Sequence, residues 1–324
     1  MAHRTVKSGY ASFVERLNRF PQGAPPSEHL FAILRMLIDE REAQLLAQIP
    51  MKPFTAGKAA KIWKMDVPAA RRVLEELADR AMLVDIERDG LTRYVLPPPM
   101  AGFFEFSLMR VREDLDQKAL SELFHQYLNV EEDFVKALFV EGSTHLGRVF
   151  VQEPVLTGDN AAHVLDYERA SEVIRTATAI GVGMCYCRHK MEHLGRACDA
   201  PMDICMTFNG SAESLTRHGH ARRIEAAECL DLLDQAYERG LVQFGENVQR
   251  RVGFICNCCG CCCEALLAAR RFAHLQPVHT TRFITEGGAD SCKGCGKCGE
   301  ARPGDAMGPV AAAGRQKPKA RQAG

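Results

Sequence analysis

Cys292, Cys295 and Cys298 lie in the run SCKGCGKCGEARP, a C-x2-C-x2-C spacing that wraps three thiolates around a tight glycine-containing loop. Backbone N–H groups of such a loop can point at cluster sulfides, and the spacing is that of bacterial ferredoxins. A ferredoxin run would add a fourth cysteine three residues on, followed by proline; Pro303 is present, but Arg302 occupies the ligand position. The loop therefore predicts a 3Fe-4S cluster, a cluster completed from elsewhere, or a degenerate or zinc-binding remnant. Upstream, Cys256, Cys258, Cys259, Cys261, Cys262 and Cys263 place six thiols in eight residues. That exceeds the four ligands of a tetrahedral zinc site. Neighbouring side chains diverge, so adjacent cysteines serve two metal centres more naturally than one, which favours polynuclear clusters. Burial as small hydrophobes would account for one or two of them.

A third group, Cys185, Cys187, Cys198 and Cys205, forms a C-x-C-x10-C-x6-C arrangement with ligands enough for one cluster, and iron–sulfur and zinc both fit that count. Arg188, His189, Lys190 and Arg196 lie among these thiols. Cations beside an anionic cluster stabilise its reduced state and raise its potential; the alternative is an ordinary solvated loop. Cys229, alone in EAAECLDLLDQAYERG, reads as a core thiol, and the stretch with Arg217, His218, His220, Arg222 and Arg223 reads as a solvated loop.

All 14 cysteines fall between Cys185 and Cys298, so one half of the chain carries the chemistry. The start MAHRTVKSGYASFVERLNRF lacks the apolar stretch of a signal peptide and no run approaches the ~20 apolar residues of a membrane span. The expectation is a cytoplasmic protein with free thiols that bind metal. Forty-one Lys and Arg against 41 Asp and Glu give no net charge, which argues against a polycation built for nucleic acid. With 324 residues, two or three domains and a real core are expected.

The elements that position the thiols read as follows. Residues 1–26 form a short polar leader. In 27–99, Ser27 caps a helix through Leu30, Ile33, Leu34, Leu37 and Ile38, extended by Leu45, Leu46 and Ile49; Thr55 starts a second, and Asp66 with Pro68 a third. Short β-prone runs on either side of Asp89-Gly90 then predict a hairpin, completing the outline of a winged helix-turn-helix. Residues 100–180 are a mostly helical connection with Phe103, Phe104, Phe106, Leu108, Leu120, Leu123, Phe124, Leu128, Phe134 and Leu138 as core and no visible chemistry; Leu146 to Leu156 predicts a strand, and Asp166 to Ala179 a helix. Residues 181–298 form the cysteine-rich domain, with a helix from Glu225 to Gly240. Its lead-in Val182 to Cys187 resembles Val252 to Cys258, a weak internal repeat. Residues 299–324, poor in apolar bulk, should be disordered. The fold class expected is α+β, mainly helical, with an N-terminal winged helix before a cysteine-rich iron–sulfur domain.

The blocks CYCRHKMEHLGRACDAPMDICMTF and GLVQFGENVQRRVGFICNCCGCCCEALL, together with the winged-helix segment and CKGCGKC, resemble a family of bacterial 4Fe-4S ferredoxin-type proteins with an extended cysteine-rich N-terminal portion. The resemblance spans about Glu28 to Cys298. It implies an iron–sulfur electron carrier with two or three 4Fe-4S clusters, a redox partner protein, and a complete two-cluster ferredoxin domain where this chain has its Ala/Gly/Pro/Arg tail; that departure suggests truncation or a frameshift.

No catalytic triad, phosphate loop or paired carboxylates stand out, so single-electron relay to a partner enzyme is the expected function. The alternative is an iron–sulfur redox-sensing DNA-binding regulator, with Lys58, Lys61, Lys64, Arg71, Arg72, Arg88 and Arg93 facing nucleic acid, although Glu75, Glu76, Asp79, Asp85, Glu87 and Asp89 dilute that charge. A heterodisulfide-reductase-like site, from Cys258-Cys259-Gly260 with Cys295-x2-Cys298, is the least favoured reading.

Overall fold

A computed structural model describes residues 7–20, 22–141, 146–156, 161, 163–272, 278, 295, 307–310 and 319–322 of the chain. It is a mixed α+β protein. Helix α1 (Gly9–Leu17) starts at Ser8, whose side chain accepts from the Ala11 N–H, and buries Phe13, Val14 and Leu17. The segment expected to be a polar leader thus contributes to the core. Arg16, itself buried, donates to the carbonyls of Ile49 (3.0 Å) and Pro50 (2.8 Å) and ties α1 down.

Ser27 caps α2 (Glu28–Leu37), as its position predicts. The expected extension through Leu46 is broken at Ile38, because Asp39 and Glu42 form a capping box that starts a separate α3 (Glu40–Leu46). Thr55 caps α4 (Ala56–Trp63), and Asp66 caps α5 (Val67–Asp79) with Pro68 in the first turn. Strands β1 (Val84–Arg88) and β2 (Leu91–Val95) pair antiparallel around Asp89 and Gly90, whose φ values of 54° and 71° make the expected two-residue turn.

Next come α6 (Phe104–Phe106), α7 (Gln117–His125) and α8 (Asp133–Phe139). Their aromatic side chains interlock: Phe104 meets Phe124 with ring centroids 5.0 Å apart, and Phe124 meets Tyr186 edge-on at 5.6 Å. The expected core residues of this stretch are buried, with Leu123 partly so. Only β3 (Gly147–Val149) forms in the segment expected to be a longer strand; a 3-10 turn at Glu153–Val155 containing Pro154 ends it. The helix expected over 166–179 divides into a 3-10 turn, Asp166–Glu168, and α9 (Ala170–Thr176).

The remaining elements are β4 (Ile180–Met184), α10 (Tyr186–His193), β5 (Asp203–Phe208), α11 (Asn209–Arg217), β6 (Arg222–Arg223), α12 (Ala226–Glu238), β7 (Val242–Glu246), β8 (Phe254–Cys258) and α13 (Glu264–Arg271). Beyond them β9 (Met307–Val310) pairs antiparallel with β10 (Lys319–Gln322); the rest of the expected disordered tail lies outside the described residues. The six-stranded sheet runs β3-β7-β8-β5-β4-β6. Both β4 and β8 lie antiparallel to β5, so the two run in the same direction and deliver their C-terminal ends to one edge of the sheet, where β5 begins. The two similar lead-ins are therefore equivalent strands flanking β5. Among the described residues no helix is long and apolar enough to cross a membrane.

The β1–β2 hairpin docks on α11. Buried Asp85 accepts from Ser214 Oγ (2.6 Å) and Arg217 Nη1 (2.5 Å), and His218 Nε2 stands 3.2 Å from it. Arg217 and His218 are thus structural, not a solvated loop as their sequence suggests, and buried His220 has its imidazole pushed down to about 4, chiefly by burial. Burial alone would raise the Asp85 carboxyl, but His218, Ser214 and Arg217 hold it well below the usual carboxylate range. The same hydrogen bond raises His218, against its own burial.

The signs define a window. The Asp85 contribution is present above the ordinary carboxyl value of about 4 and lost as pH falls below it; the His218 contribution is complete below the ordinary imidazole value of about 6.5 and lost as pH rises through its raised value. Docking is expected to be strongest between those limits, and Asp85→Asn to flatten both limbs of a plot of urea midpoint against pH. Parallel profiles for the two proteins would disprove this role.

Candidate metal centre

Ten of the cysteines converge at the β4/β5/β8 edge of the sheet and sort into two groups. Cys185 precedes α10 at its N-cap position, and Cys187 lies in the first turn. Cys205 lies on β5, Cys256 and Cys258 project from one face of β8, and Cys263 is the N-cap residue of α13. These six thiols neighbour one another around a closed ring: Cys185 lies next to Cys187 and Cys205, Cys187 next to Cys263, Cys263 next to Cys258, Cys258 next to Cys256, and Cys256 next to Cys205. The Cys205–Cys256 Sγ separation is 3.8 Å.

Contact among these thiols lowers Cys185, brings Cys256 down to about 5 and Cys263 to about 6, and raises Cys187, Cys205 and Cys258. Two helix N-termini, those of α10 and α13, also face thiolates here, and their partial positive charge favours the ionised form.

The second group is Cys198, Cys259, Cys261 and Cys262, whose sulfurs all lie within 4.8 Å of one another. Cys261–Cys262 and Cys198–Cys262 are 3.7 and 3.9 Å apart. Cys259 is brought down to about 4, first by the hydrogen bond from Cys262, with Arg188 adding to it.

This partition differs from the linear grouping. Cys185, Cys187, Cys198 and Cys205 do not form one set, because Cys198 crosses to the second group. Two adjacent pairs, Cys258-Cys259 and Cys262-Cys263, divide between the groups as diverging neighbours should, whereas Cys261 and Cys262 join the same group because the chain turns there. Cys229 is fully buried and its thiol is pushed up to about 12 by burial, in keeping with a core role. Of the ferredoxin-like run, Cys292 and Cys298 lie outside the described residues and Cys295 is exposed.

Arg188 connects the two groups. It is 1% exposed, donates from Nη1 to the Pro201 carbonyl (2.7 Å) and from Nη2 to the Asn257 carbonyl (2.7 Å), and lies beside Cys185, Cys258 and Cys259. Burial opposes its charge, but the thiols raise its pKa overall. Lys190, fully buried, pairs with Glu264 and donates to Asn129 Oδ1 (2.6 Å), while Asn129 Nδ2 donates to Glu264 Oε2 (2.7 Å). His189 is buried against the Leu108 carbonyl (2.8 Å); only Arg196 of this cationic set is exposed. The solvated-loop alternative therefore applies to Arg196 alone.

Three residues had no signal in the sequence. Glu105 accepts from the Ala101 (2.7 Å) and Gly102 (3.0 Å) N–H groups, and burial pushes its carboxyl to about 8 near Cys256. Asn129 completes the Lys190–Glu264 pair. Tyr186 is buried beside Cys187, and its hydroxyl, like Arg188 Nε, has no hydrogen-bond acceptor among the described residues. Buried donors need acceptors, and sulfides held within the ring would supply them, so the donor set fits an iron–sulfur group.

Compared with protein-family models, with curated proteins and with solved structures, the chain matches none.

Proposed function

We infer that the six-cysteine ring holds a polynuclear iron–sulfur centre and that the protein relays single electrons to or from a partner redox protein. The observation that carries this reading is the closed ring itself: six thiols, each next to two others, from two strands and two helix N-termini exceed what one tetrahedral ion can bind. Such a centre supplies one-electron chemistry through its iron. The chain's own part is to hold the thiolates and to place the guanidinium of Arg188 where it offsets their charge. It also offers the Tyr186 and Arg188 donors to inorganic sulfur and shields Cys258 and Cys263 from water. Cys185, Cys187, Cys205 and Cys256 are only partly buried, which leaves a short path to a docked partner.

The resemblance to ferredoxin-type proteins points the same way. The alternative, a redox-sensing DNA-binding regulator, is less well supported because the hairpin that carries Arg88 and Arg93 is engaged by α11 through Asp85.

Protein purified without oxygen is expected to contain about four or more irons per chain with matching acid-labile sulfide, and to give an electron paramagnetic resonance signal on one-electron reduction. Iron-free protein after anaerobic purification and reconstitution would defeat the proposal. Retention of a genomic DNA fragment at low salt would move the weight to the regulator.

A further inference from the structure

We propose that Cys198, Cys259, Cys261 and Cys262 form a separate mononuclear site for a tetrahedral, redox-inert divalent cation of the zinc type, beside the ring and distinct from it in chemistry. The argument is geometric. Four thiolates sharing one zinc at a bond length of about 2.3 Å stand at the corners of a tetrahedron with edges of about 3.8 Å. The observed separations of 3.7 and 3.9 Å match that edge, and all four sulfurs lie within 4.8 Å of one another. The four thiolates on the outer corners of a four-iron cube cannot all pack against one another in this way, because the irons and sulfides of the cube lie between them. Among the described residues only this group packs every sulfur against every other; in the ring, contacts run from one neighbour to the next.

Chain connectivity agrees. Three ligands come from the turn Cys259-Gly260-Cys261-Cys262, and the fourth from the irregular loop between α10 and β5. That loop has no strand or helix to hold it, so a bound ion would fasten it to the end of β8. Pro201, whose carbonyl receives Arg188, is in the same loop. Fastening the loop therefore places the cation that faces the ring. Zinc has no accessible second oxidation state, so this site orders its neighbour and carries no electron.

The test uses the full-length chain and two variants, read by zinc, iron and sulfide content. Cys261 is the exposed ligand, and Cys261→Ser is expected to reduce zinc from about one per chain to near none while iron and sulfide remain. Cys205→Ser, in the ring, should do the reverse. Cobalt added to the metal-stripped wild-type chain should give intense tetrahedral thiolate–cobalt bands, reduced in Cys261→Ser and kept in Cys205→Ser.

Loss of iron with retention of zinc in Cys261→Ser would overturn the assignment, as would loss of both metals in both variants, or wild-type protein free of zinc after growth with zinc. Zinc at about one per chain with no iron would instead uphold this site and defeat the electron-transfer reading, so the two proposals can fail separately.

Discussion

Replacing Arg188 by methionine is expected to lower the stability of the protein by about 3–5 kcal/mol, the usual cost of leaving buried opposite charge uncompensated. Arg188 is 1% exposed and holds α10, the Pro201 carbonyl and the Asn257 carbonyl together, so the loss combines charge with two charge-assisted hydrogen bonds. The sign of the redox effect follows from the same position. Removing a cation beside Cys185, Cys258 and Cys259 disfavours added negative charge, so the midpoint potential of the ring centre should fall. Denaturant midpoints and a potentiometric titration read the two effects independently. Arg188→Lys keeps the charge but cannot make both carbonyl contacts, and should recover more of the potential than of the stability. A potential unchanged in Arg188→Met would confine Arg188 to a structural role.

The second large effect concerns Lys190 and Glu264. Lys190 follows Cys187 on α10, and Glu264 follows Cys263 on α13, so their ion pair clamps together the two helices whose N-termini supply ring thiols. Both side chains are almost fully buried. Lys190→Met leaves Glu264 unpaired in a low-dielectric site and is expected to cost about 3–5 kcal/mol, with ring metal lost in proportion. Lys190→Met combined with Glu264→Leu removes both charges and should recover most of that stability, because an apolar pair avoids the desolvation penalty. Asn129 would then lose partners, which limits the recovery. Thermal unfolding and metal content of the two single variants and the double variant complete the cycle. Additive costs would show that the pair does not act as a unit.

Much of the local structure was legible along the chain. Ser27, Thr55 and Asp66 cap the helices that follow them because a side-chain oxygen next to an amphipathic run satisfies free N–H groups wherever the helix later packs. The Asp89-Gly90 turn needs only the two positive φ angles those residues tolerate. The break at Ile38 was missed because apolar spacing continues across it while the Asp39–Glu42 capping box acts locally. Helix α1 was missed because a short segment with many polar residues gives a weak pattern, although Phe13 and Leu17 are fully buried.

The sequence by itself determined the inventory: which residues can ligate metal, that they exceed any single tetrahedral ion, and that they are confined to one half of the chain. Their division into six and four was decided only in three dimensions. Two similar lead-ins become strands of the same direction on either side of β5, and that topology brings Cys185, Cys205, Cys256 and Cys258 to one edge, while the turn after β8 carries Cys259, Cys261 and Cys262 across to Cys198. The fate of the cations was likewise tertiary. In the sequence Arg188 and Lys190 fit cations beside a cluster and a solvated loop alike, and only the fold shows them buried, with thiols, carbonyls and a carboxylate compensating their charge. Spacing along a chain limits which side chains can meet locally; partners from distant segments are selected by the packing that must neutralise and hydrogen-bond every charge it encloses.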